Sequence, residues 1–294
     1  MNDNAWLAER FEANRSHLRG VAYRMLGSLS DADDAVQEAW IRFSRNDTGE
    51  IDNLRAWLTT VVGRVCLNML RSRKTRPEVS LQTHVPDPIV SPETGIDPEQ
   101  EAVLGDSIGL ALIVVLDSLT PAERIAFVLH DIFAVPFDEI APIVDRTPAA
   151  ARQLASRARR RVQGAPEPDV DRAGQWVVAD AFLAASREGS FDRLLAILDP
   201  DIVLRSDGGL AHPELNTYVR GAQAVAEQAL TFRRFGATAT RILVNGLPGG
   251  VAWAPDGSPF AILALTVTGG RIVAIDILAD PERLAKVDLT EVAP

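Results

Sequence analysis

Apolar residues recur at helical spacing through the first part of the chain. In the stretch Asp31–Phe43 they form one stripe and leave an acidic outer face, which predicts an amphipathic helix. A polar loop, Ser44–Asp52, separates it from a longer apolar run that Asn53 can cap and that continues to about Arg71. Three or four packed helices are therefore expected from Trp6 to Arg76.

A second helical pattern, from Phe137 to Arg161, predicts two short helices across a tight turn. Pro142 shortens or kinks the first helix, and Asp145 occupies the turn position where glycine is easiest. Thr147 and Pro148 then provide an N-cap and a first helical residue. The second helix packs its alanines inward and presents a polar, basic face outward: Gln153, Ser156, Arg157 and Arg160.

This helix-turn-helix pattern predicts DNA binding. In a major groove, arginine reaches guanine or phosphate and glutamine reaches an adenine edge. The alternative is an exposed helix whose arginines are only solvated. Just before the motif, Thr120 and Glu123 have the spacing of a capping box, which predicts a further helix running to about Phe133.

The segment between Thr75 and Pro98 is rich in proline and has no clear periodicity. Proline favours extended backbone and interrupts regular elements. The segment is therefore predicted to be a linker that spans the distance between two helical domains and packs into neither.

The pattern changes after a boundary at Gly164–Pro168, where a second kind of domain is expected. Short helices come first, one of them ended by Gly189, and a strand follows at Ile202–Arg205. Four β-rich runs then predict an antiparallel meander: Ala239–Leu247, Val251–Ala254, Phe260–Val267 and Arg271–Leu278. The expected turns between them are Pro248-Gly249-Gly250, Asp256-Gly257 and Thr268-Gly269-Gly270. Helices followed by a curled sheet indicate an α+β cone.

Composition adds a restriction on DNA binding. The chain has 294 residues and a net charge of −10, so affinity for a polyanion must come from local basic patches. The helix-turn-helix supplies one patch, and the other contains Arg55, Arg64, Arg71, Arg73, Lys74 and Arg76. Cys66 is the single cysteine, the chain shows no signal segment, and its apolar runs are short, so a cytoplasmic protein is expected. No cofactor or metal site is expected, because the glycine-rich phosphate loop is missing and the histidines are scattered.

Four stretches in this order resemble bacterial RNA polymerase sigma factors of the extracytoplasmic-function (ECF) type. They are DADDAVQEAWIRF, NLRAWLTTVVGRVCLNMLRSRKTR, LTPAERIAFVLHDIF and FDEIAPIVDRTPAAARQLASRARRR. The resemblance covers roughly Phe11 to Val162. It implies sigma domain two at residues 1–76, a linker at 77–98 and sigma domain four at 99–163. Core RNA polymerase and promoter DNA are the implied partners.

The resemblance also assigns residues to each partner. Core polymerase would contact the acidic helix through Asp31, Asp33, Asp34, Gln37, Glu38, Trp40 and Ile41. The promoter element near the start site would be read and opened by Asn46, Asn53, Arg55, Trp57, Thr60, Arg64, Arg71, Arg73, Lys74 and Arg76. The upstream element would be read by Arg146, Thr147, Arg152, Gln153, Ser156, Arg157 and Arg160.

The C-terminal part, residues 171–294, resembles the SnoaL-like domain that a SigJ-like subgroup of these sigma factors carries. Three short motifs are similar to those of the subgroup: Val85–Ile89, Asp207–Gly209 and Asp280–Leu284. The resemblance implies that this domain regulates the sigma factor in cis. The expected regulatory contacts are Pro86, Asp87, Pro88, Asp207, Gly208, Gly209, Asp280, Pro281 and Leu284.

The sequence leaves a different class of function open for the cone domain. Such folds hold small molecules, and Asp207 with His212 could form an acid–base pair at a pocket mouth. Both residues are equally well explained as turn or loop residues. A third reading, a helix-turn-helix regulator with a ligand-binding domain, leaves the acidic helix unexplained. The sequence therefore favours a sigma factor without enzymatic activity, whose C-terminal domain has an unknown ligand or none.

Overall fold

A computed structural model describes residues 3–45, 53–73, 82–93, 95, 109–232 and 238–292. The chain divides into two compact units. The first comprises Met1–Glu78, Pro98–Gly105 and Val115–Gly164. The second comprises Val79–Asp97, Asp106–Val114 and Ala165–Pro294. Within the described ranges, every helix is too short or too polar to cross a membrane.

Three long helices open the first unit: α1 (Asp3–Leu26), α2 (Leu29–Ser44) and α3 (Leu54–Arg73). The N-cap predicted for α3 is confirmed, because the Asn53 side chain accepts a hydrogen bond from the Ala56 amide at 3.1 Å. Helix α2 is capped by Ser28, whose hydroxyl accepts from the Asp31 amide. The apolar stripes of the three helices bury large side chains, among them Phe11, Leu18, Phe43 and Leu58.

Among the described residues, four shorter helices follow along the chain: α4 (Leu110–Asp117), α5 (Pro121–Phe127), α6 (Phe137–Ile140) and α7 (Pro148–Val162). The capping box at the start of α5 is confirmed, with Thr120 and Glu123 each bonding the other's backbone amide. The α-helical geometry was expected to continue to Phe133, but it changes at Val128 into a π-helical turn that ends at Ile132. A π-helical turn of five residues is too short for its changed period to be read from the apolar pattern, so periodicity did not reveal it.

The predicted helix-turn-helix is confirmed in α6 and α7. Helix α6 has only four residues, as expected from Pro142 shortly after it. Asp145 has a φ of +55°, the left-handed conformation that its turn position requires. The Thr147 hydroxyl accepts from the Ala150 amide and starts α7.

The second unit is built on a seven-stranded sheet in the order β1-β4-β5-β6-β7-β2-β3. The strands are β1 (Val90–Pro92), β2 (Leu198–Asp207), β3 (Thr217–Arg220), β4 (Thr238–Val244), β5 (Leu247–Trp253), β6 (Pro259–Thr268) and β7 (Arg271–Leu278). The meander expected from β4 to β7 is confirmed. Strand β2 joins it parallel to β7, and the other pairs are antiparallel.

Helices cover one face of this sheet. They are α8 (Arg172–Glu188), α9 (Phe191–Ile197) and α10 (Ala222–Phe232), and a short helix, α11 (Pro281–Leu284), follows the last strand. Gly189 ends α8 in a left-handed conformation, as predicted. The helices bury Trp176, Phe182 and Val225 against Leu204 and Ile275 of the sheet. A second cluster uses the alternate residues of the strands, so the sheet has apolar residues on both faces.

The turn predicted between β4 and β5 is wrong. Pro248, Gly249 and Gly250 lie inside β5, and the hairpin turns instead at Asn245 and Gly246, with φ of 51° and 79°. Asn-Gly favours the turn type whose twist matches the flanking strands. A Cβ at Gly249 would lie 2.3 Å from the Leu263 carbonyl oxygen, so glycine there permits the close approach of β6.

The predicted linker is more than an extended spacer between the two helical domains, because its described residues belong to the second unit. Val90–Pro92 pairs antiparallel with Val244–Ile242 and forms β1 at the edge of the sheet. Val85 and Val90 lie in the second apolar cluster, beside Leu284. The described part of the linker is therefore an integral part of the second unit, because three residues of suitable pattern complete an otherwise open sheet edge.

Candidate nucleic-acid interface

The outer face of α7 has the side chains expected of a DNA-reading helix. Arg146, Thr147, Arg152, Gln153, Arg157 and Arg160 are exposed, and Ser156 is half-buried beside them. The opposite face buries Ala151, Ala155 and Ala158 completely. The guanidinium of Arg152 also lies 5.2 Å from the centre of the Phe137 ring, which orients it beside the turn.

The arginines at the end of α7 fall into two groups. Arg159 pairs with Asp131 at 2.5 Å, and Arg161 pairs with Glu123 at 3.0 Å, so both hold the helix against its own domain. Arg157 and Arg160 are exposed on the face that carries Gln153. Only this second group is placed to reach nucleic acid without breaking an ion pair within the domain.

A cavity of about 450 Å³ lies between the end of α2 and the start of α3. It is lined by Arg42, Arg45, Trp57, Thr60, Val61 and Arg64. The sequence predicted Trp57, Thr60 and Arg64 as DNA contacts but missed Arg42 and Arg45. Both arginines occupy the last turn of α2 or the residue after it, and their position next to the polar loop was the available signal.

The remaining residues of the start-proximal set are dispersed. Asn53 is exposed at the start of α3, and Arg71 is exposed near its end. Arg55 donates a hydrogen bond to Nδ1 of His17 at 2.8 Å. Asn46, Lys74 and Arg76 lie outside the described residues, as does the side chain of Arg73.

The acidic face of α2 consists of Asp31, Asp33, Asp34, Gln37 and Glu38. Asp33 pairs with Arg19 of α1, and Glu38 pairs with Arg42 one turn further along the same helix. Asp34 and Gln37 are exposed. Trp40 and Ile41 are half-buried at the edge of this face, with the Trp40 ring 5.1 Å from the Phe11 ring. The arrangement presents negative charge with a small apolar border.

In the second unit, one half-buried arginine joins the three short motifs. Arg283 donates to Asp87 at 2.9 and 2.6 Å, to Asp207 at 2.8 Å and to the Val85 carbonyl at 2.6 Å. Asp207 also accepts from the Val85 amide at 3.1 Å and lies 3.2 Å from Nδ1 of His84. We call this group, His84, Val85, Asp87, Asp207 and Arg283, the linker clamp.

The pKa of Asp207 is consistent with its ion pair in the linker clamp. Burial of Asp207 raises its pKa, but the hydrogen bonds from His84 and the Val85 amide, with the charge of Arg283, outweigh burial and leave the pKa below its usual value. Asp207 is therefore ionised, and the buried carboxylate is compensated by donors from the linker and from α11. Without those donors the carboxylate would remain buried and unpaired.

The other expected regulatory residues lie next to members of the linker clamp along the chain. Pro86 and Pro88 are buried in the linker, and Leu284 is buried in the adjoining apolar cluster. A Cβ at Gly209, which has a φ of +65°, would lie 2.2 Å from a carboxyl oxygen of Asp280. The structure thus brings together the three motifs that the sequence identified separately.

Comparisons with known proteins identify the family of the chain. The Sigma-70 region 2 family matches residues 10–76, and the Sigma-70 region 4 family matches residues 109–162. The ECF RNA polymerase sigma factor SigJ of Mycobacterium tuberculosis (strain H37Rv) is 38% identical over 295 residues, which cover 96% of this chain and 94% of that protein. This chain belongs to the ECF family of RNA polymerase sigma factors.

Further relatives extend over the C-terminal unit as well. The probable ECF sigma factor SigI of the same organism is 34% identical over 291 residues, which cover 97% of each chain. The crystal structure of M. tuberculosis SigJ matches with a TM-score of 0.77 and 36% identity, over 96% of this chain and 99% of that chain. The expected fold of this sigma factor, two helical sigma domains followed by an α+β SnoaL-like domain, is confirmed. The family binds core RNA polymerase and promoter DNA.

The acid–base pair considered for the sigma factor's C-terminal domain does not form. The Asp207 carboxylate is bound within the linker clamp. His212 is exposed and its Nδ1 lies 3.0 Å from a carboxyl oxygen of Glu214. The two side chains thus have separate partners, and the buried carboxylate is committed to holding the linker.

Proposed function

We propose that this ECF sigma factor reads promoter DNA through two surfaces and is regulated in cis by its SnoaL-like domain. The upstream element is read by the exposed face of α7. The exposure of Gln153, Arg157 and Arg160, beside arginines already held in ion pairs, supports this assignment. Since the partners are core polymerase and DNA, we also propose that the protein works in the cytoplasm.

The start-proximal element is read by the cavity between α2 and α3. Opening a promoter requires a surface that stabilises an unstacked base and a basic path for the single strand. Trp57 offers an aromatic ring in this cavity, and Arg42, Arg45 and Arg64 supply positive charge around it. Stacking of one base on an aromatic side chain is worth about 1–3 kcal/mol, so one such contact affects strand opening.

Regulation in cis rests on one observation: the linker is held by the C-terminal domain. It is fixed at β1 by pairing with β4 and at the linker clamp by Arg283. A third contact follows at Glu93, which pairs with Arg241 of β4 at 2.8 Å. A linker that is built into the C-terminal domain cannot extend to let the two sigma domains occupy separate promoter elements. Release of the linker shifts the sigma factor towards the form that can occupy both promoter elements.

The SnoaL-like domain acts by binding rather than by catalysis in this proposal. Members of the sigma factor family are not enzymes. In the C-terminal domain, the Asp207 carboxylate is bound by Arg283 and His84, which supports a role in binding the linker rather than in catalysis.

The experiment is a substitution on the linker side of the linker clamp. Asp87→Ala removes one of the two carboxylates that pair with Arg283 and leaves Asp207 in place, and we expect it to release the linker. A hydrogen bond to a charged group contributes about 1.5–3 kcal/mol to stability, so its loss weakens the hold on the linker. Transcription from one promoter by purified core polymerase with this variant should therefore exceed that of the wild type.

Asp201→Ala is the matched control. It breaks the pair between Asp201 and Arg220, whose side chains are 79% and 66% exposed, and it should leave transcription unchanged. Equal transcription by the two variants, with equal affinity for core polymerase, would contradict control through the linker.

A further inference from the structure

Three side chains in contact link the π-helical turn to α7. The His130 imidazole is stacked on the Phe137 ring, with ring centres 3.8 Å apart and planes at 29°. The guanidinium carbon of Arg152 lies 5.2 Å from the centre of the same Phe137 ring. We call His130, Phe137 and Arg152 the arginine stack. It joins three successive elements of the chain: the π-helical turn, α6 and α7.

The two rings of the arginine stack are held by the protein itself. Nδ1 of His130 lies 3.0 Å from the carbonyl oxygen of Val135. A carbonyl can only accept, so Nδ1 carries the proton and donates it, which fixes the plane of the imidazole. Phe137 begins α6 and is 9% exposed. Arg152 therefore lies against a surface whose orientation is already set.

The guanidinium of Arg152 keeps its hydrogen-bond donors available. Arg152 is exposed, and among the described residues no carboxylate pairs with it. Arg159 and Arg161, by contrast, are each bound to a carboxylate of the same domain. An aromatic ring attracts a guanidinium electrostatically and accepts no conventional N–H bond from it. The arginine stack thus restrains the cation and leaves its N–H groups for another partner.

Restraint and position distinguish Arg152 from the other exposed arginines of α7. Among the described residues, Arg157 and Arg160 have no aromatic ring beside them. Arg152 lies in the second turn of α7, towards the helix end whose side chains contact base edges in helix-turn-helix proteins. A restrained side chain loses less conformational freedom on binding, and a base edge requires one fixed geometry. Both features favour a base contact for Arg152.

We propose that Arg152 reads one guanine of the upstream promoter element, and that His130 and Phe137 are positioning residues that hold its guanidinium for that contact. The inference rests on the reading face of α7 proposed above. Guanine presents the N7 and O6 acceptors in the major groove, and one guanidinium donates to both. Because the rings act through Arg152, their loss should affect promoter binding only while Arg152 is present.

The base contact is tested by replacing one guanine of the upstream element at a time with 7-deazaguanine, which lacks the N7 acceptor and keeps Watson–Crick pairing. At one position the wild-type holoenzyme should lose promoter affinity about fivefold. The Arg152→Ala holoenzyme should be insensitive to the same replacement. Arg157→Ala is the matched control and should remain sensitive to it. Equal losses for wild type and Arg152→Ala at every guanine would overturn the contact.

The positioning role is tested by a double-mutant cycle. Phe137→Leu removes the ring and keeps an apolar side chain in the core. It should weaken promoter binding about threefold in the otherwise wild-type holoenzyme and have no effect in the Arg152→Ala background. Ile140→Val, which trims a buried residue of the same helix, is the matched control and should show no such coupling. Equal weakening by Phe137→Leu in both backgrounds would refute positioning, because packing alone gives that result.

A pair of substitutions at His130 tests the stack without altering α6. His130→Leu removes the stacked ring, whereas His130→Phe keeps an aromatic ring in its place. We expect His130→Leu to lose affinity in the same direction as Phe137→Leu, and His130→Phe to retain the wild-type affinity. If the two His130 variants bind promoter DNA equally well, the imidazole has no part in holding Arg152.

Failure of the reading face itself has a different result. Arg152→Ala, Arg157→Ala and Arg160→Ala would then all leave promoter affinity unchanged. If the reading face is correct and the arginine stack is not, Arg157→Ala still weakens binding, and Phe137→Leu acts equally with and without Arg152.

Discussion

At the scale of single residues, exposure and ion pairing separate the arginines at the end of α7 into two groups. Arg159 and Arg161 are held by Asp131 and Glu123 of the same domain. Arg157 and Arg160 are exposed next to Gln153. The sequence identified a basic face, and it selected Arg157 and Arg160 by helical spacing alone. The pairing of the other two depends on residues about 30 to 40 positions away, which periodicity does not connect.

We expect Arg157→Ala and Arg160→Ala each to weaken promoter binding by the holoenzyme. A base-reading arginine should cost about 1–3 kcal/mol and relax specificity at one position, whereas a phosphate contact should lower the salt slope by about one. Binding to promoter variants at several salt concentrations distinguishes the two cases. Arg159→Ala, which loses a partly exposed ion pair instead, should leave the salt slope unchanged. Unaltered binding by both Arg157→Ala and Arg160→Ala would exclude α7 as the reader.

In the linker clamp, too, the sequence identified some of the residues but not the pairs that they form. Asp87 and Asp207 were expected to be regulatory contacts because their motifs resemble those of a subgroup. Arg283, which joins them, was not singled out, although it lies inside the third motif. The sequence shows charges of opposite sign 76 and 196 positions apart, and only the fold determines that they pair.

Helices with strong end signals were predicted well, and elements defined by partners were not. The starts of α3, α5 and α7 follow from Asn53, Thr120 and Thr147, whose side chains each accept a backbone hydrogen bond. Strand β1 has three residues and gains its hydrogen bonds from β4. No local pattern specifies such a strand, because the sheet edge that it completes is formed by residues about 150 positions later. The turn between β4 and β5 was misplaced for a related reason, because Gly249 lies within β5 and permits the close approach of β6.

Helix α2 carries the surface that we assign to core polymerase, and its charge can be reversed without entering the core. Asp34 is exposed, and Glu38 is half-exposed in a pair with Arg42. We expect Asp34→Lys with Glu38→Lys to weaken core polymerase binding, because complementary charge orients the partners and like charges oppose them. The change should appear chiefly in the association rate and depend on salt. Titration of labelled protein with core polymerase would measure both.

Glu9→Lys is the control for this reversal, because Glu9 is exposed on α1 and outside the acidic face. It changes one charge in the same direction and should have little effect on core binding. The double variant should keep the helical content and unfolding midpoint of the wild type. Unchanged core affinity in a folded double variant would refute the assignment of the acidic face.

At the scale of the whole chain, the segment between the two helical domains belongs to the C-terminal unit. The linker, which composition predicted to be an extended spacer, is a strand and a set of ion pairs within the C-terminal unit. Covalent attachment makes such contacts effective at any protein concentration. A domain that keeps the linker therefore needs no separate inhibitory protein to influence how far the sigma domains can separate.

Chains ending at Val170, at Leu278 and at Pro294 should differ in transcription from one promoter in a purified system. The chain ending at Leu278 lacks Arg283 and Leu284, so the linker clamp is lost while β4 remains available to β1. The chain ending at Val170 lacks both the linker clamp and β4, so its linker has no C-terminal domain to join. If the C-terminal domain restrains the linker, the complete chain should be the least active, and the chain ending at Leu278 should exceed it. Each chain is compared at saturating core polymerase, so that differences in core affinity do not enter. Equal activity of all three would exclude regulation in cis, because removal of every contact to the linker would then have no consequence.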